Sequence, residues 1–215
     1  RPSIRLASLM DINSVFIFTH DSIYLGEDGP THQPIEHLMS LRLIPNVDVI
    51  RPSNSIEIDH SYRYAFSDSK NPKVLSLTRQ DLDYLDFDVK YEEFLKGGYV
   101  VSDGDDFTIV ASGSELEIAF KIKAALLEYS VRIVSVPILN KLSNMKNEEI
   151  NELLKNKHVF PIELGRSIGW ESYLGRLTKT FSIDTFGESA PIEDLEKNFG
   201  FDIPSITKEI IKYLN

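Results

Sequence analysis

The chain of 215 residues contains no cysteine, one tryptophan and three methionines. Without a thiol neither a disulfide framework nor a thiolate metal site can form, and a reducing compartment, the cytosol, is the expected setting. A basic surplus is missing too: 23 Lys and Arg stand against 33 Asp and Glu, for a net charge of −10. A nucleic-acid backbone selects a basic face, so no nucleic-acid partner is expected, and any phosphate recognised here must be small and held locally. No apolar run approaches the roughly 20 residues that span a bilayer. The opening RPSIRLASLM reads as an amphipathic helix rather than a secretion signal, so no membrane partner is expected. Internal repeats and low-complexity tracts are absent. The first residue is arginine, which leads to the expectation of a fragment whose true start lies elsewhere.

What is present is an alternation of short apolar runs and amphipathic stretches. Ser14 to Phe18 reads as a strand with no polar alternation, expected to be covered on both faces as parallel-sheet strands are. A helix is expected from about Gln33 to Leu43 with Pro34 in its first turn, then a strand at Val47 to Ile50 stopped by Arg51-Pro52. Ser53 or Asn54 can cap a helix to about Phe66, and Lys73 to Leu77 makes a third strand. This β-loop-α-β-α-β order is the grammar of a parallel sheet. Gln80 to Lys96, acidic and aromatic, reads as a linker lying against the surface. A second unit follows, with strands near Tyr99 to Ser102, Phe107 to Ala111, Val131 to Val136, His158 to Leu164 and Lys179 to Ile183. Ser112-Gly113-Ser114-Glu115 has the spacing of a capping box for a helix to about Tyr129, whose Ile118, Ile122, Ala125, Leu126 and Tyr129 make one core-facing stripe. Two helices close the chain, at about Pro191 to Asn198 and Ile203 to Leu214.

The segment THDSIYLGEDGPTHQP, Thr19 to Pro34, concentrates the chemistry. Ligands of open α/β sheets bind beyond the carboxyl ends of the strands, where His20 emerges. His20 reads equally well as a ligand contact or as a strand-end histidine satisfied by backbone. Asp28, between Gly26 and Gly29, divides between substrate binding and an Asx turn. His32, expected at the start of a helix, is suited to proton exchange near a developing oxyanion, with a simple cap as the alternative. Arg79 follows the third strand and can hold a phosphate or carboxylate by two parallel bonds, or pair with the nearby Asp81 and Asp83. Arg51, Glu27 and His37 read as structural or solvated, and His60 and His158 carry no signal. The spacing of His20, Asp28 and His32 fits no recurrent metal motif, so no metal site is expected.

These segments, with LRLIPNVDVIRPSN, LSLTRQDL, KGGYVV, ASGSELEIA and FGESAPIEDLEKNFGF, resemble transketolase, in the family's order and over essentially the whole chain. The resemblance implies two three-layer αβα units. Residues 1–84 are then the latter part of the pyrimidine-binding domain with an incomplete parallel sheet, 85–97 a linker, and 98–215 a smaller, mixed-sheet C-terminal domain. It implies a thiamine-diphosphate enzyme of the pentose phosphate pathway, dependent on a divalent cation (Mg or Ca), homodimeric, transferring a two-carbon ketol unit from a ketose phosphate to an aldose phosphate. By position, His20 and Arg79 then hold the sugar phosphate, Asp28 recognises a substrate hydroxyl, and His32 assists proton movement. The diphosphate domain and the glutamate that activates the cofactor have no counterpart here. Asp103-Gly104-Asp105 resembles the metal motif in letters but lacks its strand-helix context. The fragment is therefore expected to need the missing N-terminal part of its own chain and to be inactive, binding neither thiamine diphosphate nor cation alone. The family commonly has glycine where Tyr24 stands and RQNLP where RQDLD stands, so substrate range is left open. Two alternatives remain: a catalytically silent interaction or regulatory module, and a sister thiamine enzyme such as dihydroxyacetone synthase or a deoxyxylulose-phosphate synthase.

Overall fold

β-Branched runs bounded by turn residues settle into two sheets in the computed structural model, which describes residues 1–68 and 70–214. Helix α1 (Pro2–Leu9) leads into β1 (Val15–Phe18), a loop with a 3-10 turn at Ile23–Asp28, α2 (His37–Arg42), β2 (Asp48–Ile50), α3 (Ser55–Ala65) and β3 (Lys73–Ser76). These three strands are parallel in the order β1-β3-β2. After α4 (Tyr91–Phe94), strands β4 (Tyr99–Ser102), β5 (Phe107–Ala111), β6 (Val131–Ser135) and β7 (His158–Ile162) form the second sheet in the order β4-β6-β5-β7. Only β4 is antiparallel, which makes this sheet mixed. Helices α5 (Glu115–Ala125), α6 (Asn147–Leu154), α7 (Trp170–Leu174), α8 (Ile192–Phe199) and α9 (Ile203–Leu214) complete the chain.

The largest core joins β5, β6 and β7 to α5, α8 and α9, and it takes in Ile23, Tyr24 and Ile35 from the loop of the first unit. The segment between the sheets is also anchored: Leu85, Val89 and Phe94 are buried, and Phe87 stacks on Phe120 at 6.3 Å. Asn54 caps α3 by accepting from the Glu57 amide. From α3 the buried Glu57 carboxylate accepts bonds from the Ser53 amide at 2.7 Å, from Ser135 Oγ at 2.6 Å and from Tyr99 Oη. Burial pushes the Tyr99 hydroxyl well above its ordinary pKa, and the Glu57 charge adds to it.

Several expectations change. β1 is not covered on both faces within this chain: it pairs with β3, and Ile17 and Phe18 remain 46 % and 44 % exposed. The helix expected from Gln33 starts only at His37, because Gly29 O accepts both the His32 and the Gln33 amides and holds residues 29–33 in a turn. The capping box does not form: α5 begins after Ser114, and Glu115 turns away to bond the Leu164 amide and Arg51. That helix ends at Ala125, so Ile118, Ile122 and Leu126 reach the core while Ala125 is exposed. Lys179 to Ile183 is not a strand but a single bridge, Ile162 to Phe181. The β7 amides facing it belong to Val159 and Glu163, and Pro161 midway between them has no N–H to continue the ladder.

Candidate active site

The carboxyl ends of β1 and β3 lie side by side, with Phe18 opposite Ser76, and the chain beyond them opens a cavity of about 750 Å³. His20, Asp28 and His32 line it together, across from Ser40 and Leu41 of α2. His20 holds a left-handed backbone conformation, φ 66°, rare for a residue with a Cβ, and its Nδ1 lies 2.8 Å from Thr19 Oγ1. Asp28 closes the 3-10 turn, followed by Gly29 at φ 78°, and Gly26 within the turn has φ 75°. Both conformations cost a glycine little and any other residue more. His32 Nδ1 lies 2.9 Å from Thr31 Oγ1, which leaves Nε2 as the ring nitrogen for a ligand. His32 stands five residues before α2, so the expectation that it occupies a helix start is corrected: no helix dipole acts on it. Arg79 is exposed three residues beyond β3, on the same sheet edge as His20, but it is not part of the cavity wall. Asp83 pairs instead with Lys121 at 3.3 Å. His37 lines the cavity and Glu27 is exposed.

Beside the cavity, which Asp21 also lines, lies a buried charge cluster, of which the sequence reads Arg51 as structural or solvated and Glu115 as half of a capping box. Arg51, fully buried, donates from Nε to Asp21 Oδ2 at 2.8 Å and from Nη1 to Ser112 Oγ at 3.2 Å, and pairs with Glu115 at 3.0 Å. Glu163 takes both Arg42 Nη atoms at 2.8 Å and the Trp170 indole N–H at 2.9 Å. Asp21, Arg42 and Arg51 come from the first unit, Ser112, Glu115 and Glu163 from the second, so the cluster bolts the two together directly behind His20. The only sequence hint was that Arg51 follows β2 as His20 follows β1. Two guanidiniums face three carboxylates. Burial pushes the Glu115 carboxyl up, against the pull of Arg51, with Asp21 and Glu163 adding to the rise. Burial acts on Glu163 in the same sense, but Arg42, Arg51 and Trp170 outweigh it and hold that carboxyl below its ordinary value.

These opposite shifts give opposite pH dependences. A raised folded-state value means that the folded form binds more protons than the unfolded chain, so the Glu115 contribution falls as pH climbs above the ordinary carboxylate range. The depressed Glu163 contribution is full above that range and is lost as pH falls through its lowered value. Glu115→Gln is expected to stay within about 1 kcal/mol of the parent at neutral pH and to flatten the slope above the ordinary carboxylate range, whereas Glu163→Gln loses roughly 3 kcal/mol or more. Urea midpoints measured across that range check both. A Glu115→Gln loss as large as that of Glu163→Gln would contradict the assignment.

Among the described residues no group of three or more His, Asp or Glu side chains is placed to hold a cation. The cavity's lining includes three imidazoles, His20, His32 and His37, and three carboxylates, Asp21, Asp28 and Glu36, a set that does not by itself make a cradle for a metal-bound diphosphate. No helix among them is long and apolar enough to cross a membrane.

Comparison with known proteins agrees with the two-unit architecture. Residues 1–83 match the model of the transketolase pyrimidine-binding domain, and residues 97–202 that of the transketolase-like C-terminal domain. The transketolase of Bacillus subtilis is 39 % identical over 227 residues, an alignment covering 100 % of this chain and 34 % of that protein. The structure of a transketolase from Leishmania mexicana superposes with a TM-score of 0.89 at 35 % identity, covering 97 % of this chain and 31 % of that one. A Pichia stipitis transketolase in complex with sedoheptulose 7-phosphate gives a TM-score of 0.90 at 32 % identity, over 99 % of this chain and 32 % of that one. The chain thus spans about a third of the length of the relatives it matches. With both domain models and full-length alignment of its own residues in agreement, the chain belongs to the transketolase family.

Proposed function

We propose that this chain is the substrate-facing portion of a transketolase that moves a two-carbon ketol unit from a ketose phosphate to an aldose phosphate. The observation that carries the reading is the convergence of His20, Asp28 and His32 on one cavity at the carboxyl ends of parallel strands. Asp28 accepts a hydrogen bond from a substrate hydroxyl. His32, through Nε2, holds or moves a proton near the reacting carbons. His20 donates to the sugar phosphate, and Arg79, on the same edge, holds its outer side. Thiamine diphosphate, when bound, supplies the carbanion chemistry of such a transfer, and its diphosphate and divalent cation are held by parts of the enzyme beyond this chain. The working enzyme is then a cytoplasmic homodimer of longer chains, and this portion alone is inactive.

In the full-length enzyme, Arg79→Ala is expected to raise KM for phosphorylated sugars roughly 10- to 150-fold, the loss of one charge-assisted contact of about 1.5–3 kcal/mol. Unphosphorylated sugars serve as the control. An equal loss on both kinds of sugar would remove Arg79 from phosphate binding.

A further inference from the structure

Asp28 and His32 are exposed on the cavity wall, and among the described residues the His32 ring is tied only to its neighbour Thr31. Their positions therefore depend on the backbone of residues 26–32, which turns on two left-handed glycines and has few bonds of its own. Support comes from below, and from the second unit. The Gln33 side chain is 4 % exposed. Its Nε2 donates to Gly26 O at 2.8 Å, to Glu188 O at 2.9 Å and to Ile23 O at 3.3 Å. Ser189 Oγ donates to Glu27 O. The fit is so close that a Cβ at Gly187 would lie 1.7 Å from the Gln33 side-chain Oε1, and one at Gly29 would lie 3.0 Å from Ser189 Cβ. Residues 187–189 thus hold the loop on both flanks of Asp28, at Glu27 and Gly29, and through Gln33 they hold the residue after His32. Gln33 Oε1 is buried with no partner among the described residues, an unfavourable arrangement that the three-way donation of the same amide must offset.

We propose that Gln33 is a positioning residue and that the Gly187–Ser189 turn of the second unit is the template on which the substrate loop takes its shape, an inference that rests on the function proposed above. Its consequence is that the second unit acts in acceptor selection without touching substrate. A displacement of Asp28 by a fraction of a bond length weakens discrimination between acceptors with and without a hydroxyl beside the aldehyde, since misplacement by about 1 Å can cost ~10²-fold.

The test uses the full-length enzyme with Gln33→Met, which keeps volume and loses the donors, and Ser189→Ala, which loses one hydroxyl. Two acceptors, a 2-hydroxyaldehyde and its 2-deoxy analogue, are compared by steady-state kinetics, and amide hydrogen exchange is followed at Gly29, His32 and Gln33. For Gln33→Met the preference for the hydroxylated acceptor is expected to fall about tenfold, carried by KM, with faster exchange confined to the loop. Ser189→Ala is expected to show the same pattern more weakly. A partly unfolded variant is recognised by faster exchange throughout both units rather than in the loop alone. Parent-like preference and parent-like loop exchange in both variants would overturn the proposal, as would equal loss on both acceptors with KM unchanged. A parent enzyme inactive on both acceptors would refute the functional reading, and loop exchange would still decide whether the 187–189 turn holds the loop.

Discussion

Arg51→Ala lowers stability by about 3–5 kcal/mol. The guanidinium is fully buried and is the shared partner of Asp21, Glu115 and Ser112, with Glu163 at 3.5 Å. Removing it leaves buried carboxylates facing each other, and their repulsion in a poorly polarisable interior is the larger part of the loss. The size of the pair's own attraction matters less, because burying these charges already offsets much of it. Gly113 sits against the same guanidinium, where a Cβ would come within 3.1 Å of Arg51 Cζ. The space is thus shaped to this side chain, and a cavity adds to the electrostatic loss. Equilibrium urea unfolding at neutral pH measures the effect. A loss under about 1 kcal/mol would show that the cluster does not hold the two units together.

His32→Ala leaves stability within about 0.5 kcal/mol, since the ring is exposed and outside every core cluster. In the full-length enzyme kcat falls about 10²-fold or more, the usual contribution of a positioned proton-transfer group. The structure removes one support for this role, the helix start, and supplies another: Thr31 Oγ1 engages Nδ1 and orients the ring. KM for the donor sugar is expected to change less than kcat, because the ring acts on a proton that moves in the transition state. An unchanged kcat would take His32 out of the reaction.

The strands, their order of appearance and the loop that carries His20, Asp28 and His32 were legible because each depends on local text, apolar runs ended by Gly, Pro or Asp. The misreadings share a cause. Gln33 scored as a helix residue and Glu115 as half of a capping box, yet each spends its side chain on a distant partner, Glu188 O in one case and the Leu164 amide and Arg51 in the other. β1 reads as doubly covered because an apolar run shows that its faces need cover without showing which segment supplies it.

Length, charge and local pattern by themselves determined an acidic, thiol-free α/β chain with polar groups gathered after its first strand. The folded chain decided which of its charges lie in the dark, because those pairs join residues as far apart as Arg42 and Glu163, separated by 121 positions, and no local preference reaches that far. It also decided that residues 187–189 of the second unit hold the loop of the first. Contact between such remote segments is set only once both sheets are packed.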